Sequence, residues 1–152
     1  MTDMTVQIEP VSLDRDLDAI AAIARESFPN PWSRDMFAQE LSQQPLTRSY
    51  VLRTHEYPVA AFCTCWLVID ELHINTIAVR PELRRRGLAR LLLDHVLRDA
   101  ASRGAARALL EVRRSNAAAL RLYENMGFST ESVRAGYYPN PPEDALVLVR
   151  TL

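Results

Sequence analysis

After Gly87 the apolar residues fall at Leu88, Leu91, Leu92, Val96 and Ala100, the three-to-four-residue recurrence that builds one face of a helix. The same recurrence at Leu17, Ile20, Ile23 and Ala24 predicts a helix over residues 13–27, preceded by a short strand at 5–9. Phe28-Pro29-Asn30-Pro31-Trp32 is a stiff break, after which Ser33 has the character of an N-cap for a second helix carrying Met36, Phe37, Glu40 and Leu41. Residues 49–54 and 59–69 read as strands joined through Glu56-Tyr57-Pro58, with 72–79 as a third in the same meander. The long helix that follows ends near Gly104, which suits a helix C-cap. A strand at 108–112 and a helix capped by Ser115 or Asn116 lead to strands at 129–134 and 145–151 around a loop at 135–144. This order predicts an α/β (α+β) fold: a mixed, mostly antiparallel central sheet flanked by about four helices, one of them crossing between strands in the middle.

At 152 residues, 48% hydrophobic and 24% charged, the chain has the makeup of one folded domain with a proper core. Its net charge of −1 argues against a general nucleic-acid binder, which carries a broad positive excess. The amino end carries Asp3 and Glu9 without an apolar run, and no stretch approaches the length of a membrane span. A cytoplasmic protein without direct nucleic-acid or membrane partners is expected. Cys63 and Cys65 fall on one face of a strand, poor geometry for a disulfide. A metal site using both with His73 would need a fourth ligand that nothing nearby supplies, so no metal is expected and the cysteines read as buried packing.

Against this neutral background one stretch stands out: Ile77-Ala78-Val79-Arg80-Pro81-Glu82-Leu83-Arg84-Arg85-Arg86-Gly87-Leu88-Ala89, an apolar strand end running through a basic turn into a helix. At a helix's amino end the unpaired N–H groups and the positive end of the dipole face whatever occupies the turn. Gly87 and Ala89 keep the wall thin enough for a pyrophosphate to approach the backbone, and Arg84, Arg85 and Arg86 add positive charge. An anionic ligand is predicted. A solvated basic turn that touches RNA is the competing reading, but it leaves Gly87 and Ala89 unexplained.

Arg84-x-x-Gly87-x-Ala89, in this setting and element order, resembles the Gln/Arg-x-x-Gly-x-Gly/Ala signature of the GNAT N-acetyltransferase superfamily, which cradles the pyrophosphate of acetyl-coenzyme A (acetyl-CoA). The run from Leu110-Glu111-Val112-Arg113-Arg114-Ser115-Asn116 through Leu122-Tyr123-Glu124-Asn125-Met126-Gly127-Phe128 is similar to the RimI-type ribosomal-protein-alanine N-acetyltransferases. Tyr137-Tyr138-Pro139, Glu143-Asp144-Ala145 and the early Pro31-Trp32-Ser33 match that subfamily too, so the resemblance covers nearly the whole chain. It implies a single GNAT-like domain over residues 1–152 and acetyl-CoA as cosubstrate.

Acetyl transfer to an amine needs a neutral nucleophile, a polarised thioester carbonyl and a proton for the leaving thiolate. Glu111 is a carboxylate inside an otherwise apolar strand, where an unpaired charge would be costly. Its functional reading is a general base whose pKa partial burial raises toward the working range, the role the resemblance assigns it; the alternative is an ion pair with Arg113 or a neighbouring arginine. Tyr123 lies seven residues after Asn116, two turns along the same helix. The family's general acid sits at this position, with a core aromatic as the alternative. Asn116 is a helix cap by sequence and a cofactor contact by resemblance. The resemblance further gives Ile77, Ala78 and Val79 to the pantetheine arm, with the Val79 amide on the thioester carbonyl, and Arg84, Arg85, Arg86, Gly87, Leu88, Ala89 and Arg90 to the pyrophosphate. Tyr137 and Tyr138 in the Pro-rich loop, and Trp32, would border an acceptor peptide; a packed aromatic pair in an ordinary turn competes with that.

Reference pKa values of about 7.7–8.0 for an α-amine and about 10.4 for lysine make the α-amine roughly 3.5 kcal/mol easier to deprotonate at neutral pH. That favours a protein N-terminus as acceptor, and the resemblance points to the N-terminal alanine of a small-subunit ribosomal protein. A lysine side chain, a small-molecule amine and a noncatalytic acyl-CoA sensor are the alternatives.

Overall fold

The structure, a computed structural model, describes residues 5–43 and 45–152. Asp3, cited for the amino end, lies outside them. The strands are β1 (Val6–Pro10), β2 (Tyr50–Thr54), β3 (Ala61–Val68), β4 (Glu71–Val79), β5 (Arg107–Arg113), β6 (Ser129–Pro139) and β7 (Pro142–Thr151). The helices are α1 (Leu13–Ser27), α2 (Arg34–Leu41), α3 (Leu88–Ser102) and α4 (Ala117–Asn125), with a 3-10 turn at Pro81–Leu83. One sheet runs in the order β1-β2-β3-β4-β5-β7-β6. Every neighbouring pair is antiparallel except β4 and β5. α3 carries the chain between those two, as a parallel pair requires. The GNAT-like architecture read from the sequence is therefore the one observed.

The helices cover both faces of the sheet. Leu17, Ile20, Ile23 and Ala24 of α1 and Phe37 and Leu41 of α2 bury against Val51, Phe62 and Ala78. On the other face α3 packs over Leu52, Cys63, Cys65, Leu72 and Ile74, together with Tyr123 of α4 and Phe128. Two expected core residues point outward: Leu91 is 48% exposed and Met36 47%. The buried α3 arc is Leu88, Leu92, Leu93, Val96, Leu97 and Ala100. At 100° per residue Leu91 stands roughly 150° from the middle of that arc, and Leu93 takes its place. α3 ends in a Schellman turn, with Gly104 at φ +94°, Ala105 N–H bonded to Ala100 O and Gly104 N–H to Ala101 O.

The expected loop at 135–144 is instead the end of a hairpin. Tyr138 pairs with Glu143 and Pro139 with Pro142, while a register shift between Arg134 and Tyr138 pushes out the residues between them. The prolines signal a loop, but β6 is an edge strand and Pro142 opens β7, positions where a missing N–H interrupts no ladder.

β4 and β5 are in register only at Glu71↔Arg107, Leu72↔Ala108 and His73↔Leu109. Beyond His73 they part: β4 stays with β3 as far as Val79↔Ala61, and β5 with β7 as far as Arg113↔Ala145. A bulge at Asn75, between the pairs Cys65↔Ile74 and Thr64↔Thr76, bends β4 where the strands separate. A wedge opens through the sheet, and the turn before α3 lies beyond its β4 wall. Among the described residues no helix is long and apolar enough to cross a membrane.

Candidate active site

Gly87 caps α3 at φ +78°, and Arg85 is left-handed as well at φ +65°. Left-handed residues in a tight turn bring successive main-chain N–H groups together into an anion-binding nest. The first helical bond of α3 runs from Leu91 N–H to Gly87 O at 3.1 Å, so Leu88, Ala89 and Arg90 keep N–H groups without helical partners. A Cβ at Gly87 would meet nothing within 4 Å, so the approach to this backbone is open. Arg85, Arg86 and Arg90 are exposed, and among the described residues they pair with no carboxylate. Arg84 behaves differently from the expected free phosphate ligand. Its Nε donates to Val79 O at 3.2 Å and its Nη2 to Ser27 Oγ at 3.1 Å, bracing the end of β4 against α1. Ile77, Ala78 and Val79 pair with β3 on one side and present an unpaired edge to the wedge on the other.

Glu111 lies on the sheet face covered by α1 and α2, two residues beyond Leu109, the register partner of His73. The side chains of Glu111 and His73 meet there, with Nε2 and Oε2 2.8 Å apart. The Arg134 guanidinium lies 3.9 Å from the other carboxylate oxygen. The expectation of a raised pKa is overturned: the His73 hydrogen bond holds the Glu111 carboxyl below its ordinary range, outweighing burial. The alternative ion pair is therefore present with Arg134, not with Arg113. Arg113 donates to Pro141 O at 2.9 Å and to Glu143 Oε1 at 3.3 Å. Glu111 is thus an ionised carboxylate oriented by an imidazole, able to hold an ammonium or to accept a proton through its neighbour.

Tyr123 is buried on the opposite face, its ring edge-on to Phe128 at 5.7 Å. Burial pushes its hydroxyl well above the ordinary phenol range, so it stays a neutral proton donor. Glu111 and Tyr123 thus stand on opposite faces of the sheet, Glu111 on β5 at the wedge and Tyr123 in the core on the α3 side. Asn116 Oδ1 accepts from Ala119 N–H at 3.2 Å as the N-cap of α4, and the residue is exposed.

Two lips border the Glu111 face. Asn30 of the α1–α2 connection donates from Nδ2 to Asn140 O at the hairpin tip, joining them. Trp32 is 37% exposed and rests on Phe37 at 5.5 Å. Tyr137 and Tyr138 stack edge-to-face at 5.0 Å, with Arg134 over the first ring at 5.3 Å and Arg113 over the second at 4.4 Å. Glu143 pins the hairpin by accepting Ser115 N–H at 2.6 Å. His73 and Arg134 are the residues sequence reading misses. A histidine alternating with core residues on one strand and a glutamate doing so on another is the available signal, but only the wedge brings the two together.

The acetyltransferase (GNAT) family matches residues 17–128. The chain is 38% identical over 135 residues, 88% of its length and 89% of the other's, to the ribosomal protein bS18-alanine N-acetyltransferase of Escherichia coli K12. It is 34% identical over 137 residues, 90% of each chain, to the putative ribosomal protein bS18-alanine N-acetyltransferase of Bacillus subtilis. The crystal structure of the ribosomal-protein-S18-alanine N-acetyltransferase from Escherichia coli superposes with a TM-score of 0.89 at 35% identity, covering 97% of this chain and 94% of that one.

Proposed function

The chain belongs to the acetyltransferase (GNAT) family and is an acetyl-CoA-dependent N-acetyltransferase, and we propose that its acceptor is a protein N-terminal α-amine, that of the alanine opening ribosomal protein bS18 or a related peptide. The observation that carries this acceptor is the 38% identity to a bS18-alanine N-acetyltransferase over almost nine-tenths of both chains. A cytoplasmic site of action follows from a ribosomal acceptor.

In this reading the nest at Arg85 to Arg90 holds the pyrophosphate, with Arg85 and Arg86 supplying charge, and Arg84 shapes the turn. The free β4 edge at Ile77 to Val79 pairs with the amide-bearing pantetheine arm as an added strand, the Val79 N–H serving the thioester carbonyl. Asn116 borders the cofactor from the head of α4. Glu111, oriented by His73, binds the acceptor amine and takes its proton directly or through water. Tyr123 donates a proton to the departing thiolate while the amine attacks the thioester in a ternary complex. Trp32, Tyr137 and Tyr138 grip the first residues of the acceptor. The test is a panel of peptides differing in their first residue, incubated with acetyl-CoA and analysed by tandem mass spectrometry. Fastest acetylation at the α-nitrogen of the alanine-initiated peptide is expected, and indifference to the first residue would refute the alanine preference.

A further inference from the structure

The Glu111 carboxylate has a basic neighbour on each oxygen: His73 Nε2 stands 2.8 Å from Oε2, and the Arg134 guanidinium 3.9 Å from Oε1. Arg134 comes from the edge strand β6, at its last pair with β7 before the register shift, Arg134↔Ala145. The ring of Tyr137 lies 5.3 Å from its guanidinium, so the arginine sits between Glu111 and a tyrosine of the acceptor lip. Arg113, the other arginine stacked on this hairpin, is taken up by Pro141 O and Glu143. Arg134 is 56% exposed, and a pair this open and this long contributes little to stability. What it supplies is a positive charge beside the one carboxylate assigned to the acceptor.

We propose that Arg134 is a positioning residue that balances the charge of the acceptor pocket, so that the acceptor amine is not trapped as an ammonium on Glu111. This rests on the reading of Glu111 as the group that receives the amine. With a reference pKa of about 7.7–8.0, an α-amine arrives at neutral pH mostly as the ammonium, which has no lone pair to attack with. A carboxylate standing alone would stabilise that cation in the ground state and not in the transition state, lowering KM and kcat together. With Arg134 beside Glu111, attraction of the ammonium to the carboxylate is opposed by repulsion from the guanidinium. In the step, an N–H bond of the ammonium breaks and its electron pair stays on nitrogen as the nucleophile. The proton passes to Glu111, directly or through water, and then to solvent, which returns Glu111 to its ionised form.

The other charged and titratable groups about this pair are engaged elsewhere or neutral. His73 of β4 holds the second oxygen of Glu111. On β7, Asp144 accepts Gly136 N–H, and Glu143 accepts from Arg113 and from Ser115 N–H. Burial pushes the Tyr138 hydroxyl up to about 12, so that ring carries no charge. From α2, Glu40 is buried and accepts from Asn75. Glu111 and Arg134 therefore set the charge that an incoming amine meets.

The experiment measures kcat and KM for the best peptide α-amine across the titration of that amine, at saturating acetyl-CoA, in the wild type, Arg134→Gln and Arg134→Lys. The peptide's own α-amine is titrated in solution by NMR. In the wild type the rising limb of kcat is expected no higher in pH than the amine's own titration. Arg134→Gln should lower KM and kcat together below neutral pH, each roughly 3- to 10-fold, and move the limb up by about half to one pH unit, the effect of one unit charge removed from a hydrated site. Arg134→Lys keeps the charge and should keep the wild-type limb, with acetyl-CoA affinity within about twofold throughout. A wild-type limb about half a unit or more above the amine's own titration, or Arg134→Gln with an unmoved limb or a raised KM, overturns the role of Arg134. Near-normal turnover in Glu111→Gln would instead overturn the reading of Glu111 on which it rests. The wild-type comparison needs no variant to fold.

Discussion

Replacing Gly87 by alanine separates what a ligand asks of the turn before α3 from what the backbone asks. Gly87 sits at φ +78° and Gly104, at the other end of the same helix, at φ +94°; a Cβ at either meets nothing within 4 Å. The two substitutions therefore carry the same kind of penalty, the left-handed conformation of a residue with a Cβ, about 1–2 kcal/mol. Reduced freedom of the unfolded chain returns about 0.4–1 kcal/mol. Each variant should lose about 1 kcal/mol, roughly 2–4 °C in Tm for a domain of this size. Only Gly87→Ala places a methyl in the open approach to the turn that carries the nest. Losing one hydrogen bond to a charged group there costs about 1.5–3 kcal/mol, which weakens acetyl-CoA roughly 10- to 100-fold. Calorimetric titration with acetyl-CoA and thermal scans of both variants make the comparison. Equal coenzyme affinities in Gly87→Ala and Gly104→Ala would refute the cradle, whatever their stabilities.

Three further outcomes concern the chemistry. Glu111→Gln should lower kcat near pH 7 by roughly 10²-fold or more with little change in acetyl-CoA affinity; near-normal turnover in a steady-state assay would remove it from the proton path. His73→Ala removes the hydrogen bond that holds Glu111 low, so the Glu111 carboxyl should move up under the remaining effect of burial. The stability that a lowered carboxylate pKa contributes is present above the unfolded value, about 4.3, and lost as pH falls through the depressed one; acid unfolding followed by circular dichroism should begin at higher pH in the variant, and an unshifted midpoint would contradict the pairing. Tyr123→Phe should give a smaller kcat deficit than Glu111→Gln, with no wild-type rate limb from Tyr123 below about pH 10, because burial keeps the phenol protonated; full activity in single-turnover measurements would exclude it as the acid.

What was legible in the sequence is what local chemistry decides. Residues 13–27 carry an apolar stripe, and α1 has those bounds. Ser33 and Asn116 accept the N–H groups their N-cap character implies. Gly87 needs φ > 0, and the basic turn announces an anion. The rest depends on partners distant in sequence. Glu111 taken alone looks like a buried carboxylate with a raised pKa; its actual state follows from His73, which the β4–β5 register brings within 2.8 Å. Arg84 reads as one of three equivalent charges, yet Ser27 and Val79 occupy it. The prolines near Tyr138 suggest a loop because nothing local reveals that they stand at an edge and a strand start.

The central claim is that this enzyme acetylates a protein α-amine, and one competition tests it most directly. A peptide with the N-terminal sequence of bS18 is made in two forms, one with its α-amine blocked and its lysines free, the other with its lysines blocked and its α-amine free. Both are mixed with the enzyme and acetyl-CoA, and the position of the added acetyl group is read by mass spectrometry. Acetylation confined to the free α-amine of the lysine-blocked peptide is the predicted result; acetylation of the α-blocked peptide at lysine, with the α-amine left untouched, would contradict the account.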